Sequence, residues 1–235
     1  MAMPLRSPDF IAVWIWPAFS DHGMTTGQRY QFIYKPLIWL SCLAPLLIIA
    51  AGVAGVGGVT LSADPIRETI HRLGRTALNL LLITLAVTPL RDLLRQPPLL
   101  RLRRLLGLFA FSYALLHFSA FAALDLRFDW GRIGSELAKR PYIIVGMTAL
   151  LALVPLAITS TQGMMRRLGR RWAKLHRLVY PIALLGVWHF WWQVKADITQ
   201  PLLYSAALSV LLGYRLWKRW RATSMSAPAT APERI

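Results

Sequence analysis

The chain has 235 residues, of which 56% are hydrophobic and only 16% are charged, and its formal net charge is +17. Soluble globular domains average about 45 to 50% apolar and about 25% charged residues, so this composition indicates a protein of the lipid bilayer. The lysines and arginines lie in clumps between apolar runs, as in the loops of membrane proteins. This distribution excludes the basic face of a soluble nucleic-acid-binding domain.

Residues 1–35 form an N-terminal extension without a clear membrane span. The apolar run of residues 10–19 is too short to cross a bilayer and is interrupted by Pro17. It fits an interfacial segment or the hydrophobic part of a signal peptide, and translation from Met24 is a further alternative. Whether residues 1–23 belong to the mature protein is therefore left open by the sequence.

Six apolar segments follow, each close to the length of about 20 residues that crosses the hydrocarbon core. They cover residues 36–57, 74–91, 105–124, 142–159, 173–193 and 201–217. The sequence thus predicts an all-α integral membrane protein with a six-transmembrane-helix bundle over residues 36–217. Residues 218–235 are predicted to be a basic, disordered tail, because their last part is polar and rich in proline and alanine.

The connections between these segments predict their orientation. Those after the second, fourth and sixth segments are strongly basic and almost free of acidic residues, whereas the other three mix both signs. By the positive-inside rule the basic connections are cytoplasmic. Both ends of the chain are therefore predicted to lie in the cytoplasm.

Two histidines lie at matched depth in the third and fifth segments. His117 and His189 are on helices predicted to run outward from the cytoplasm, and His117 lies roughly 18 Å from that flank. One intramembrane histidine fits a hydrogen bond to a neighbouring helix or a place in a proton path. A pair at one level on two helices is the arrangement needed for axial ligation of haem iron. We therefore predict that His117 and His189 ligate haem.

The single cysteine, Cys42, lies inside an apolar run. One thiol cannot form an internal disulfide, a cysteine zinc site or the C-x-x-C-H motif of covalently attached haem. The haem is therefore predicted to be heme b, held without a thioether bond. Motifs for dinucleotide binding, phosphate binding or hydrolysis do not occur, so the chain is expected to carry electrons without harvesting them from NADPH.

Two further histidines have more than one interpretation. His176 lies near the cytoplasmic end of the fifth segment and lacks a histidine partner at its level. It fits a second haem with a non-histidine ligand, or a flavin or quinone site. His71 lies just outside the second segment, where it fits a propionate contact, an alternative ligand or a solvated loop residue. Arg72 and Arg75 are candidates to pair with haem propionates, because guanidinium groups suit carboxylates.

Several motifs resemble the MsrQ (YedZ) family, the haem-binding membrane subunits of bacterial MsrPQ methionine sulfoxide reductase systems, within the ferric-reductase-like transmembrane group. The motifs are DPIRETIHRLGRTALNLLL, TPLRDLLRQPPLLRLRRLLGLFAFSYALLH, KRPYIIVGM, ITSTQGMMRRLGRRWAKLHRLVY and KADITQPLLY. The resemblance runs in order and with similar spacing from about residue 36 to residue 221.

The resemblance implies that electrons from the quinol pool, or from a cytoplasmic flavin reductase, cross the bacterial inner membrane through heme b. They would reach a periplasmic molybdopterin subunit, MsrP, which reduces methionine sulfoxide in oxidised proteins, so this chain would be an electron-transfer subunit. FMN is implied as a further cofactor. His117, His176 and His189 match the family's haem-associated histidines, and His71 matches a histidine that family members also carry.

Two other functions are weighed against this one. A stand-alone ferric or cupric reductase-like cytochrome is disfavoured because such proteins usually have two histidine pairs, and the third segment has one histidine. A non-redox transporter that uses its histidines for protons would be expected to contain inverted repeats or discontinuous helices. The sequence indicates neither.

Overall fold

The computed structural model describes residue 28 and residues 30–225. The predicted N-terminal apolar run of residues 10–19 and the end of the predicted tail, residues 226–235, lie outside the described residues. Every regular element within the described part is helical, which confirms the all-α prediction.

The described chain folds into long helices joined by short turns. In order, the α-helices are α1 (Lys35–Ala54), α2 (Pro65–Leu94), α3 (Leu102–Ala120), α4 (Trp130–Lys139), α5 (Pro141–Ile158), α6 (Gln162–Leu168), α7 (Arg170–Leu175), α8 (Val179–Gln193) and α9 (Thr199–Met225). A π-helical turn precedes α1 and another continues α3, Tyr30–Tyr34 and Phe121–Asp125 respectively. Two 3-10 turns, Pro97–Arg101 and His176–Leu178, lead into α3 and α8.

Four helical stretches among the described residues are long and apolar enough to cross a membrane. They are Phe32–Ala54, Pro65–Leu94, Leu99–Asp125 and Pro141–Ile158. Helix α8 has 15 residues, which is shorter than a full span, and α9 mixes its apolar run with polar and basic residues. The structure therefore supports a multi-pass arrangement with these four spans, and the count of six stays a prediction.

The predicted fifth segment, residues 173–193, is helical but not one continuous α-helix. The 3-10 turn His176–Leu178 separates α7 from α8. Pro181 accounts for this break, because it has no N–H to donate to the carbonyl of Arg177, four residues earlier. Its ring is accommodated in the first turn of α8, where backbone N–H groups have no helical partner.

Two helix pairs form the centre of the bundle. Helix α2 packs along α3, and α5 packs along α8, and these are the most extensive helix contacts in the described chain. The pairs meet where α3 contacts α5 and α2 contacts α8, and the interface buries Leu85, Ala110, Ile182 and Ala183 almost completely. Helices α1 and α9 pack against the outside of this central group.

Polar contacts fix α9 to α2 at both ends of their interface. The hydroxyl of Tyr204 donates to Oδ1 of Asn79 at 2.6 Å. Further along, one oxygen of Asp92 accepts from the hydroxyl of Tyr214 at 2.9 Å and from Nζ of Lys218 at 2.5 Å. Hydrogen bonds of this kind stabilise the association of helices within lipid, where the hydrophobic effect does not drive helices together.

The hydroxyl of Tyr113 joins α3 to α1 beside Pro45. It donates to the carbonyl oxygen of Cys42 at 2.6 Å and accepts from the N–H of Leu46 at 3.2 Å. These two backbone groups would bond each other in a regular helix, and Pro45 lies between them. Tyr113 is only 2% exposed, so its hydroxyl satisfies a disturbed turn of α1 from the neighbouring helix.

We predict that Tyr113→Phe destabilises the protein by about 1 to 3 kcal/mol, because a buried carbonyl and N–H lose their partner. The unfolding midpoint of the purified protein in detergent measures the loss. Ser112→Ala is the matched control on α3, since the Ser112 hydroxyl is exposed and bonds only the Leu108 carbonyl of its own helix. An unchanged midpoint in Tyr113→Phe would show that the bridge does not support the fold.

Candidate functional site

A cavity of about 1070 Å³ lies between the two central helix pairs and is lined by α2, α3, α5 and α8. This volume is slightly larger than that of most ligand pockets, which are commonly about 300 to 1,000 Å³. Its charged rim comes from the ends of these helices and from the connections predicted to be outside the cytoplasm: Asp64, Arg67, Asp125, Arg132, Glu136, Arg140, Lys195 and Asp197. The cavity is thus apolar within and charged at one end.

His117 and His189 face each other across this cavity. Their ring centroids are 6.2 Å apart, and the ring planes are inclined at 75°. His117 comes from α3 and His189 from α8, so each histidine belongs to a different helix pair. His117 and His189, which the sequence places at the same depth, are therefore also close together in space.

The other nitrogen of each histidine is held by a backbone carbonyl. Nδ1 of His117 lies 2.8 Å from the carbonyl oxygen of Ile70 on α2, and Nδ1 of His189 lies 2.7 Å from that of Tyr142 on α5. A carbonyl can only accept, so Nδ1 carries the proton in both rings. Each Nε2 then keeps its lone pair free, which is the tautomer that binds a metal.

The distance between the rings fits one metal ion between two imidazoles. Two metal–nitrogen bonds of about 2 Å, with a ring radius of about 1 Å on each side, place the ring centres roughly 6 Å apart. No group of three or more histidine, cysteine or acidic ligands occurs among residues 28 and 30–225. Two ligands on opposite sides suit a metal whose remaining positions are already filled, as the porphyrin fills them in haem.

Two glycines allow the histidines to approach their partner helices. A Cβ at Gly74 on α2 would lie 3.0 Å from Nδ1 and Cε1 of His117. A Cβ at Gly146 on α5 would lie 2.8 Å from Nδ1 of His189 and 2.9 Å from its Cε1. Any side chain at these positions would displace the ring from its carbonyl partner, so both glycines belong to the site.

The two histidine environments are copies of one arrangement. In each copy, the residue whose carbonyl holds the histidine lies four residues before the glycine and 47 residues before the histidine. The two sets are Ile70, Gly74 and His117, and Tyr142, Gly146 and His189. The glycines begin similar sequences, GRTAL at residues 74–78 and GMTAL at residues 146–150. The pairs α2–α3 and α5–α8 therefore form a direct repeat, and its two histidines meet at the centre.

The histidines were predicted from the sequence, whereas the two glycines and the repeat were not. The signal that reveals them is the recurrence of G-x-T-A-L at the same interval that separates His117 from His189. The repeat is not inverted, because the residues just before α2 and α5, Asp64 and Arg140, lie at the same charged end of the cavity, so both copies run in the same direction. It therefore does not indicate the inverted repeats expected of many transporters.

His71 and Arg75 line the cavity, whereas Arg72 does not. The side-chain amide of Gln193 donates to Nε2 of His71 at 3.0 Å, so this nitrogen is already engaged. Arg72 pairs with Glu68, with 2.5 Å between Nη2 and Oε1. Arg75 makes no hydrogen bond or ion pair within the part of the chain that the structure describes, which leaves its guanidinium available to an anionic ligand.

His176 lies apart from this cavity, on the 3-10 turn before α8. Its ring stacks on Trp172 with centroids 3.9 Å apart, and Nδ1 lies 3.2 Å from the Trp172 carbonyl. Nε2 is buried and forms no well-directed hydrogen bond with any described residue. The nearby carbonyl of Leu156 already accepts from the hydroxyl of Ser160 at 2.6 Å. His176 is therefore separate from the pair formed by His117 and His189, and its Nε2 has no partner among the described residues.

The family model and the known proteins that this chain resembles indicate the same family. Residues 73–187 match the family described as ferric reductase like transmembrane component. The haem-binding subunit MsrQ of protein-methionine-sulfoxide reductase from Xanthomonas campestris pv. campestris is 58% identical over 176 residues, covering 75% of this chain and 81% of the relative. The MsrQ subunit of Xanthomonas oryzae pv. oryzae is 52% identical, covering 89% and 97%. That of Caulobacter vibrioides is 46% identical, covering 82% and 90%. No solved structure matches the chain.

We predict that Gly146→Ala displaces His189 and destabilises the site by about 1 to 3 kcal/mol, the usual cost of overpacking a filled interior. Purified protein should retain less haem than the unsubstituted chain, measured by the Soret absorbance per protein. Gly107→Ala on α3 is the control, because a Cβ there would lie 3.9 Å from Cγ2 of Thr84, an ordinary contact. Equal haem content in the two variants would contradict the proposed role of Gly146.

Proposed function

Because this chain belongs to the MsrQ family of haem-binding subunits of protein-methionine-sulfoxide reductases, a group of ferric-reductase-like transmembrane proteins, we propose that it carries electrons across a bacterial inner membrane through heme b. The acceptor we propose is MsrP, a periplasmic molybdopterin subunit that reduces methionine sulfoxide in oxidised proteins. In this assignment the chain transfers electrons and its partner performs the catalysis.

The observation that carries this proposal is the pair of imidazoles facing each other across the cavity. His117 and His189 would hold the haem iron, one from each side of the cavity, and their ring separation of 6.2 Å leaves room for one metal ion between them. Haem bound there supplies reversible one-electron chemistry between its ferric and ferrous states.

The chain's own groups prepare this site by fixing both rings in advance. The carbonyls of Ile70 and Tyr142 hold the Nδ1 protons, which sets the tautomer and makes each Nε2 a stronger donor to the metal. Gly74 and Gly146 let the rings sit close against α2 and α5, so their orientation is limited by packing as well as by hydrogen bonds. A ligand pair held in this way needs little rearrangement when the charge of the site changes.

Arg75 is the residue that we propose for the haem propionates. It lines the cavity beside Gly74 and has no protein partner in the described chain, whereas Arg72 is already engaged by Glu68. His71 is proposed to support the same end of the haem through its contact with Gln193, not as an iron ligand, because its Nε2 is occupied. A cation beside the propionates would compensate their charge within the bilayer.

The location of the cavity suggests the direction of electron flow. Its charged rim is formed by the connections with mixed charge, which the positive-inside rule assigns to the outer side. An electron leaving the site there would emerge at the periplasmic surface, where MsrP is expected to dock. The strongly basic connections lie at the opposite end and would face the cytoplasm.

We propose that His176 serves a second cofactor nearer the cytoplasmic end. Its enclosed Nε2 lacks a well-formed hydrogen bond, and a buried polar atom left so costs about 1 to 3 kcal/mol unless a ligand fills the place. A second haem with a non-histidine ligand, FMN or a bound quinone would provide that ligand. The electron donor we propose is the quinol pool or a cytoplasmic flavin reductase.

We predict that His117→Ala and His189→Ala each lose the haem that would be bound between them in the cavity, here called the outer haem, because each variant lacks one of the two proposed iron ligands. The Soret band of purified protein measures the loss. A coupled assay, in which quinol or reduced flavin drives reduction of methionine sulfoxide by added MsrP, should lose its activity with either variant. His176→Ala is expected to keep the outer haem and to show a smaller or altered haem signal.

Full haem occupancy and an unchanged spectrum in both His117→Ala and His189→Ala would refute the ligand assignment. A colourless unsubstituted protein, produced with adequate haem, would exclude both cytochrome functions and favour a non-redox transporter. Reduction of ferric or cupric ions without any activity toward MsrP would instead favour a stand-alone metal reductase.

We predict that Arg75→Gln lowers the midpoint potential of the outer haem, because a nearby positive charge favours the state that has gained an electron. The shift should be on the order of tens of millivolts, as expected for removing one charge from a medium of effective dielectric constant about 20. Spectroelectrochemical titration measures it. Arg72→Gln is the matched control, since Arg72 is paired with Glu68 outside the cavity. Equal potentials in the two variants would argue against a propionate contact at Arg75.

A further inference from the structure

Helix α4 is an amphipathic helix in the connection between two candidate membrane spans. The stretch containing α3 ends at Asp125, and α5 begins at Pro141, immediately after the turn at Arg140. Both ends of this connection are therefore held at the level where the spans leave the bilayer. A helix of ten residues is about 15 Å long, and packed helices lie about 8 to 10 Å apart, so α4 is long enough to bridge the tops of α3 and α5 along the surface.

One side of this connection is apolar and uncovered. Leu124, Phe128 and Trp130 are 45%, 57% and 79% exposed, although they flank or begin the helix. Ile133 and Leu137 continue the apolar side of α4 and are half-buried against the protein. The polar side faces away from it and consists of Arg132, Ser135, Glu136 and Lys139. A short helix that begins with an exposed tryptophan and carries apolar residues on one side and charges on the other is typical of segments that lie in the membrane interface.

The backbone before α4 is fixed in a conformation that bulky residues rarely adopt. Arg127 and Phe128 have φ angles of 50° and 55°, in the left-handed region. Each such residue costs roughly 1 to 2 kcal/mol, so the surroundings must compensate. Part of the compensation is visible, since Leu126 is 2% exposed and the Phe128 N–H donates to the Ala122 carbonyl at 2.9 Å. The exposed ring of Phe128 gains nothing comparable from the described protein.

We propose that the exposed side chains of Phe128 and Trp130, at the start of α4, insert into the outer leaflet at the boundary between phospholipid headgroups and acyl chains. Aromatic side chains are enriched at this level of membrane proteins. Burial of the Phe128 ring in lipid supplies the favourable contact that its strained backbone lacks in the protein. Continuity with two flanking spans favours the lipid interface over a protein partner, because the connection cannot rise away from the surface.

This anchor would also position the rim of the cavity. Arg132 and Glu136, on the polar side of α4, line the cavity, and Glu136 pairs with Arg140 at 2.7 Å. The same short helix therefore contacts lipid on one side and the charged rim on the other. The proposal rests on α3 and α5 crossing the membrane, and it is independent of what the cavity binds.

The test uses single cysteines labelled with bimane in nanodiscs of phosphatidylcholine, with and without lipid carrying a nitroxide high on its acyl chain. The natural Cys42 is 3% exposed, and the unsubstituted chain measures its background labelling. Trp130→Cys reports on the apolar side and Ser135→Cys is the matched position on the polar side. We expect quenching several-fold stronger at Trp130→Cys, with Phe128→Cys giving the same result. An unchanged Soret band or, in a protein without haem, an unchanged gel-filtration profile shows that each variant is folded.

Leu151→Cys on α5 separates the two ways in which the test can fail. Leu151 is 62% exposed in the middle of a candidate span, so a nitroxide deep in the acyl region should quench a probe there. Quenching at Leu151→Cys with equal quenching at Trp130→Cys and Ser135→Cys would overturn the interfacial anchor alone. Lack of quenching at Leu151→Cys would overturn the membrane span and the anchor with it. Quenching at Leu151→Cys but not at Trp130→Cys, together with a change in the bimane emission of Trp130→Cys when MsrP is added, would show a protein-docking surface instead, and would also overturn the proposal.

Discussion

Two hydrogen bonds between an imidazole and a backbone carbonyl set the centre of this structure. The bond from His117 to Ile70 ties α3 to α2, and the bond from His189 to Tyr142 ties α8 to α5. Because each carbonyl takes the Nδ1 proton, the opposite nitrogens are left free and face the same cavity. The proposed iron ligation depends on these two bonds, and Gly74 and Gly146 leave the room that the two rings need to form them.

The direct repeat explains why such a site can be built from few parts. A helix pair with a carbonyl, a glycine and a histidine at fixed spacing makes one half of a ligand set, and two copies side by side complete it. A backbone turn within the bundle is also satisfied from a neighbouring helix, as the Tyr113 hydroxyl does for α1 beside Pro45. Such a contact is needed in the core of a bilayer, where water is absent and backbone polar groups must be satisfied by the protein.

The two ends of the bundle differ in chemical character. The cavity opens at the end with mixed charges, where Arg75 is available to an anion and α4 borders the rim. The other end holds the stacked pair of His176 and Trp172 next to strongly basic connections. The proposed transfer of electrons from one face to the other would use two such chemically distinct ends.

The sequence by itself determined the helical class, the apolar stretches and the matched depth of His117 and His189, because hydropathy and helical rise act locally along the chain. It also limited the haem to a type without thioether bonds, through the single Cys42. Only the tertiary structure decided that the two rings meet, that Gly74 and Gly146 make room for them, and that Gln193 engages His71. The break before α8 likewise separated His176 from the continuous helix that hydropathy indicated. These features depend on contacts between residues far apart in the chain, and the packing of helices brings those residues together.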